Sequence, residues 1–123
     1  MNRVLLLSSD LRLLDTLAPA MRQADLDVLC AADIAEGLKR LDDAEVSVVI
    51  LDEFLTVDSW RLCRCIDQVF DTGIIFLGSR PSEEAWPGAE EIGFDFYLEK
   101  PVSFSEVGAR AKALLRRREN IGN

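Results

Sequence analysis

The sequence contains no histidine, and this absence removes several kinds of active site. Without an imidazole there is no Ser-His-Asp triad, no histidine general base and no histidine-ligated metal. Cysteine is scarce as well, with only Cys30, Cys63 and Cys65. Their odd number and the lack of a repeated CxxC pair argue against a disulfide framework and against a zinc site. We therefore expect three reduced thiols in a cytoplasmic protein.

Long hydrophobic runs and an excess of positive charge are also missing. No apolar run approaches the about 20 residues that a membrane-spanning helix requires, and the run at the N-terminus is too short for a secretory signal. The 14 Lys and Arg residues are outnumbered by 22 Asp and Glu residues, giving a net charge of −8. This balance argues against nucleic-acid binding by the domain itself. The 123 residues are enough for one domain.

The chain is organised around one apolar, β-branched run, Val46–Asp52, which stops at a carboxylate. Such a run is typical of a central parallel strand that is buried on both faces. In open α/β sheets, ligands bind beyond the carboxyl ends of the strands, so Asp52 would stand where such a fold does chemistry. The alternative is that Asp52 only caps the loop that follows.

Five apolar runs alternate with helical patterns, which predicts a parallel sheet with helices on both faces. The predicted strands are Arg3–Leu7, Asp27–Ala31, Val46–Asp52, Ile74–Leu77 and Phe94–Glu99. We predict an α/β fold of the flavodoxin-like (βα)5 class, with a five-stranded parallel sheet of order 2-1-3-4-5. The domain is expected to cover residues 1–118. Residues 119–123 are interpreted as a frayed tail or the start of a linker to an output domain.

The helices are predicted from spacing and from capping residues. The first follows Ser9 or Asp10 and has Leu11, Leu14, Ala18 and Met21 on one face, with Pro19 expected to kink or shorten it. The second helix is capped by Asp33 and covers Ile34–Leu41, with Ile34, Leu38 and Leu41 on one face. The third helix covers about Trp60–Phe70, with Leu62, Ile66 and Val69 on one face. A fourth, over Glu83–Ile92, should be short or broken at Pro87-Gly88, and the last runs from Ser103 or Ser105 to Arg118.

In the predicted strand order, four chain segments converge at one edge of the sheet. They are Ser8-Ser9-Asp10, Asp52, Gly78-Ser79 and Lys100. A buried carboxylate needs a positive partner, and Lys100 can supply it. This pairing has two interpretations. It is either a neutralised ion pair without chemistry, or an acceptor aspartate with a lysine that contacts a transferred phosphoryl group.

These residues resemble a known family, the receiver domains of bacterial two-component response regulators. The stretch Gly93–Pro101 looks like the family's fifth-strand signature, an aromatic followed by Lys-Pro, and Val48–Asp52 looks like its phosphoacceptor strand. Asp58-Ser59 falls where the family usually has Asp-Gly, and Glu106–Arg118 resembles its closing helix. The resemblance implies that Asp52 is the phosphoacceptor, Lys100 the phosphate-contacting lysine and Tyr97 the switch aromatic, with a cis Lys100-Pro101 bond. The alternative for Tyr97 is a partly buried aromatic on an edge strand.

The departures from the family pattern concern the metal and the switch. Ser8 and Ser9 stand where members usually have two acidic, magnesium-binding residues, and Gly78 stands where a hydroxyl residue ends the fourth strand. Magnesium prefers carboxylates, carbonyls and water, so serine hydroxyls are poor replacements. Asp52, with or without Asp10, would give a metal ion too few carboxylate ligands, and Asp10 is better placed to cap a helix. We expect no cofactor, with Mg²⁺ weak if it binds at all.

The resemblance and its departures together predict an atypical receiver, a signalling and protein-interaction module and not an enzyme, with phosphorylation at Asp52 impaired or absent. The expected partners are a sensor histidine kinase or another signalling protein. A homodimer through Glu83–Ile92, the fifth strand and the last helix is also considered. One alternative is a functional phosphoacceptor receiver that controls an output or DNA-binding domain outside this chain. Another is an unrelated flavodoxin-like module that binds a small anion near Lys100.

Overall fold

The predicted strand order is confirmed. The computed structural model describes residues 3–53, 59–79 and 93–121, which form one parallel sheet of order β2-β1-β3-β4-β5. The strands are β1 (Arg3–Leu7), β2 (Asp27–Ala31), β3 (Val48–Asp52), β4 (Gly73–Gly78) and β5 (Phe96–Glu99). The helices in these ranges are α1 (Leu11–Gln23), α2 (Ile34–Asp43), α3 (Ser59–Val69) and the C-terminal helix (Phe104–Ile121). The predicted helix over Glu83–Ile92 lies outside the described residues.

The central strands are buried on both faces, as their continuous apolar sequences predict. Every residue of β3 and β4 is buried, and so is β1 beyond Arg3. Alternate strand residues point to opposite sides, and two hydrophobic clusters result. One cluster packs α1 and the C-terminal helix against Val4, Leu6 and Ile50, and the other packs α2 and α3 against Leu5, Leu7 and Leu51. The sheet is therefore the rigid centre that fixes the positions of its strand ends.

Two strands begin later than predicted. β3 starts at Val48 and not at Val46, and β5 starts at Phe96 and not at Phe94. Before β5, the Asp95 backbone N–H donates to the Ile74 carbonyl at 2.8 Å, and the Asp95 carboxylate accepts from the Ile74 N–H at 2.8 Å. The Asp95 side chain thus binds the Ile74 N–H that a backbone carbonyl of the neighbouring strand would otherwise bind. The pairing of β4 with β5 starts only after Asp95. The carboxyl ends of β3 and β5 fall at the predicted residues.

The capping predictions are confirmed at three helices. Asp10 Oδ1 accepts from the N–H groups of Arg12 and Leu13 at 3.0 and 3.3 Å, and Asp33 Oδ1 accepts from Glu36 at 2.8 Å. At the C-terminal helix, Ser103 Oγ accepts from the Glu106 N–H at 3.3 Å. Side-chain oxygens therefore satisfy helical N–H groups that have no partner within their own helix.

Some helical details were predicted wrongly. Of the kink or shortening expected from Pro19, the shortening does not occur. α1 continues to Gln23 because Pro19 and Asp15 are both exposed, and water can satisfy the carbonyl that proline leaves free. Leu11, placed on the buried face, is 64% exposed because it lies in the first turn, and Leu17 is buried instead. Leu38 and Val69 are also exposed, and Gly37 and Cys63 take the buried positions. The C-terminal helix continues past Arg118 to Ile121.

Candidate functional site

Three strand ends bring the candidate site together. Ser8 directly follows β1, Asp52 is the last residue of β3, and Lys100 directly follows β5. The register pairs Leu7 with Leu51, so the next residues of these two strands, Ser8 and Asp52, are neighbours. The Lys100 N–H donates to the Gly78 carbonyl at 2.8 Å, which fixes the lysine backbone beside β4. The sheet therefore positions all three side chains at its carboxyl edge, as predicted.

Ser8, Asp52 and Lys100 form a closed polar group, which we call the acceptor cluster. Lys100 Nζ lies 2.5 Å from Asp52 Oδ1, and the Ser8 hydroxyl donates to Asp52 Oδ2 at 2.5 Å. Asp52 and Ser8 are 0% exposed, and the Lys100 side chain is 19% exposed. The predicted contact between Asp52 and Lys100 is confirmed. Each of the two carboxylate oxygens therefore contacts one polar side chain.

The Ser8 hydroxyl serves two groups at once. While it donates to Asp52, its oxygen accepts from the Asp10 backbone N–H at 3.0 Å. The Asp10 carboxylate caps α1 through its Oδ1 atom. Ser9, the other serine of the pair, is exposed. Among residues 3–53, 59–79 and 93–121, no three Asp, Glu or Cys side chains are grouped as metal ligands would be.

Glu53 also belongs to the site, although no sequence motif predicted it. Its Oε2 atom accepts a hydrogen bond from the Ser79 backbone N–H, which links the residue after β3 to the residue after β4. Its backbone carbonyl accepts from the Ser59 hydroxyl at 2.6 Å, at the start of α3. The available sequence signal was an acidic residue directly after Asp52. Glu53 ties together the chain segments that surround the acceptor cluster.

Gly78 and Tyr97 meet beside Glu53. A β-carbon placed on Gly78 would lie 2.6 Å from Tyr97 Oη, 3.1 Å from Tyr97 Cε2 and 3.2 Å from Glu53 Oε2. Real β-carbons essentially never approach other heavy atoms within 3.0 Å. The phenol therefore occupies space that any larger residue at position 78 would need. The Lys100-Pro101 peptide is cis, as the resemblance implied.

Tyr97 is also held by two phenylalanines, and the three rings form what we call the aromatic cluster. Its ring stacks on Phe76 with centroids 6.0 Å apart and planes 17° apart, and it meets Phe94 at 6.0 Å with a tilt of 46°. Burial, followed by the negative charges of Glu53 and Glu99, raises the pKa of Tyr97 to about 12. The phenol therefore stays protonated far above neutral pH.

Comparison with known proteins agrees with this geometry. The chain is 32% identical over 121 residues to the transcriptional regulatory protein CpxR of Escherichia coli K12, covering 95% of this chain and 50% of that protein. Solved structures that superpose on it include a CheY-like receiver domain protein from Methanospirillum hungatei, with a TM-score of 0.85, 22% identity and 96% of both chains covered. The fold is that of response regulator receiver domains, and the sequence similarity to CpxR supports the same family.

Two further findings set the scope of that similarity. The chain superposes on the response regulator DrrB of Thermotoga maritima, described as an OmpR/PhoB homologue, with a TM-score of 0.79 and 25% identity over 94% of this chain and 53% of that one. The chain thus spans about half the length of the curated relatives it matches. No family profile matches the chain.

Two predicted features lie outside the described residues. They are Asp58 and the Glu83–Ile92 segment of the predicted dimer surface. On the described part of that surface, Phe104 is exposed and the Arg110 guanidinium lies over the Phe96 ring at 4.8 Å. In the ranges that the structure describes, no helix has the length and hydropathy needed to cross a membrane.

Proposed function

We propose that this receiver is an atypical signalling and protein-interaction module in which phosphorylation of Asp52 is impaired or absent. The observation that carries the proposal is the closed acceptor cluster. Asp52 is fully buried, and its two oxygens contact Lys100 and Ser8 at 2.5 Å each. A phosphoryl donor would have to reach a carboxylate whose charge is already compensated and whose oxygens are both in use.

The residues around Asp52 do not fit a magnesium ion, the metal that the receiver fold implies. Magnesium requires several oxygen ligands in near-octahedral geometry, and carboxylates serve it best. The Ser8 hydroxyl is neutral and has two partners, the Asp10 carboxylate caps α1, and the Glu53 carboxylate binds the Ser79 N–H. Phosphoryl transfer depends on positioning and on charge neutralisation by metal ions. Because Lys100 is already paired with Asp52, the site is poorly equipped to position a phosphoryl group or to neutralise its charge.

The proposed output is contact with another protein. Candidate partners are a signalling protein such as a sensor histidine kinase, or a second copy through Glu83–Ile92, β5 and the C-terminal helix. The net charge of −8 makes the domain itself a poor binder of nucleic acid.

A second candidate is a functional phosphoacceptor receiver that controls an output domain outside this chain. Two observations favour it. Asp52 and Lys100 lie together at the carboxyl edge of the sheet. CpxR, half of whose length is similar to this chain, is a transcriptional regulatory protein. A DNA-binding domain would then respond to chemistry at Asp52.

Incubation with acetyl phosphate and millimolar Mg²⁺, followed by intact-mass spectrometry, separates the two candidates. We expect no phosphoryl mass increment on the wild-type protein. An increment that maps to Asp52 and disappears in Asp52→Asn would overturn the proposal and support the second candidate.

A gain-of-function variant tests the reason for the impairment. Changing Ser8→Asp and Ser9→Asp together supplies two carboxylates where magnesium-binding residues are expected. We expect this variant to bind Mg²⁺ and to acquire the phosphoryl increment. The matched control is Ser8→Asn with Ser9→Asn, which has the same side-chain size without the charge and should stay unmodified. If the acidic variant folds, binds Mg²⁺ and still takes up no phosphoryl group, the missing acidic pair is not the cause.

A further inference from the structure

Position 78 is where β4 ends beside the acceptor cluster, and its missing side chain shapes the region. The β-carbon of any other residue there would come within 2.6 Å of Tyr97 Oη and 3.1 Å of Tyr97 Cε2. A β-carbon cannot stay at the first distance and the second is tight, so a larger residue at position 78 requires the phenol to shift. The glycine is therefore what allows Tyr97 to lie against the end of β4.

Tyr97 is held in this position from several sides. Phe76 on β4 stacks against its ring, and Phe94 packs at the same centroid distance of 6.0 Å. The hydroxyl oxygen itself is buried, although the residue as a whole is only half-buried. Glu53 lies beside the same position and is fixed by the Ser79 N–H. These contacts come from the residue after β3, from β4 and from the segment before β5, and none of them involves Asp52.

We propose that Gly78 serves as a permanent seat for Tyr97, which fixes this aromatic against β4 whatever the chemical state of Asp52. The surface along β5 is then presented in one form. The inference deepens the proposed function and rests on it, because a fixed Tyr97 would let the domain contact a partner without chemistry at Asp52. Its test measures the environment of the tyrosine and not phosphorylation, so the two proposals can fail separately.

The chain makes this test unusually direct, because Tyr97 is its single tyrosine. Protein labelled with ¹³C-tyrosine gives one set of ring signals, and their shift with pH reports the phenol ionisation. We expect Gly78→Ala to move these signals and to lower the pKa of Tyr97 from about 12 toward the ordinary value of 10.0, as the ring leaves its seat. The charged groups that bear on this phenol are Glu53, after β3, and Glu99, on β5.

Two further variants complete the experiment. Gly108→Ala, in the C-terminal helix, is the matched control because a β-carbon there meets nothing within 4 Å, and its tyrosine signals should stay unchanged. Asp52→Asn should also leave them unchanged if Tyr97 is independent of Asp52. A folded Gly78→Ala protein with wild-type tyrosine signals would contradict the proposal that Gly78 fixes the position of Tyr97. Altered signals in Asp52→Asn would contradict the proposal that this position is independent of Asp52. Gly78→Val, with a larger side chain, should move the tyrosine signals further than Gly78→Ala does.

Discussion

Two neighbouring regions at the carboxyl edge of the sheet are filled in different ways. The acceptor cluster is polar and holds a buried ion pair, with Lys100 and Ser8 each 2.5 Å from an oxygen of Asp52. The aromatic cluster is packed by rings whose centroids lie about 6 Å apart, and its phenol fills the space above Gly78. In both regions the chain's own side chains occupy positions that an external group or a larger residue would need.

The difference lies in how each region responds to the loss of one member. In the acceptor cluster, removing one partner leaves a buried charge or a buried hydrogen-bonding group without compensation, and the free-energy cost is large. In the aromatic cluster, removing one atom costs packing that neighbouring rings can partly recover, whereas adding an atom creates a clash. The first region should therefore be sensitive to deletion and the second to insertion.

The largest effect is expected from Lys100→Ala. This change leaves the fully buried Asp52 carboxylate without its cation, and such losses typically cost about 3–5 kcal/mol of unfolding free energy. We expect the lower end of that range, because the lysine side chain is 19% exposed and water can reach the vacated space. Urea unfolding of the wild-type and variant proteins measures the difference.

The matched control removes both charges together, with Asp52→Asn and Lys100→Ala in one protein. Replacing both members of a buried pair costs much less than removing one, so the double variant should be more stable than Lys100→Ala alone. A double variant as unstable as the single one would mean that Lys100 contributes through packing, and the contrast between the two regions would be lost.

An intermediate effect is expected from Ser8→Ala. The change removes the donor to Asp52 Oδ2 and the acceptor of the Asp10 N–H in a fully buried position, and leaving such groups unsatisfied costs about 1–3 kcal/mol. Ser9→Ala is the matched control, because exposed sites usually change stability by less than about 0.5 kcal/mol. Equal losses in urea unfolding for the two variants would contradict the assignment of Ser8 to the acceptor cluster.

The contrast between the two regions also explains what the sequence could predict. The Asp52–Lys100 contact follows from strand order alone, because both residues stand at strand ends that meet at one edge. The ion pair needs only opposite charges and a long lysine side chain. The burial of the central strands was predictable because strongly apolar runs such as β3 and β4 favour positions buried on both faces. Their order cannot be read from the apolar pattern and was chosen from the number of βα units and the acidic strand end.

The remaining features depend on local geometry that periodicity does not encode. Glu53 binds a backbone N–H, and a backbone donor leaves no signature in the amino-acid sequence. The placement of Tyr97 over Gly78 depends on a side-chain rotamer and on the distance between two strands. The exposure of Leu11 and Val69 reflects their position at helix ends, where an apolar face extends past the sheet. These are properties of three-dimensional packing, and each involves one or two residues.

The smallest effect is expected in the alkaline stability of the aromatic cluster. The pKa of Tyr97 is raised from 10.0 to about 12 by burial and by Glu53 and Glu99, so the folded protein holds this proton more tightly than the unfolded chain. The stability that the neutral phenol contributes is fully present below pH 10 and is lost as the pH rises to 12. Urea midpoints measured across this window should therefore fall more steeply for the wild-type protein than for Tyr97→Phe.

The comparison with Tyr97→Phe is needed because a second group titrates in the same direction. Burial, followed by the negative charges of Asp67 and Asp95, raises the pKa of the Cys63 thiol from 9.0 to about 12, so it also makes the folded state less stable at high pH. Cys63 is present in both proteins, and the difference between their curves belongs to the phenol. Parallel curves from pH 10 to 12 would mean that the Tyr97 hydroxyl titrates as it does in the unfolded chain. The Tyr97 ring would then not lie over Gly78. Its hydroxyl would be exposed to solvent, in contrast to the buried carboxylate of Asp52 in the acceptor cluster.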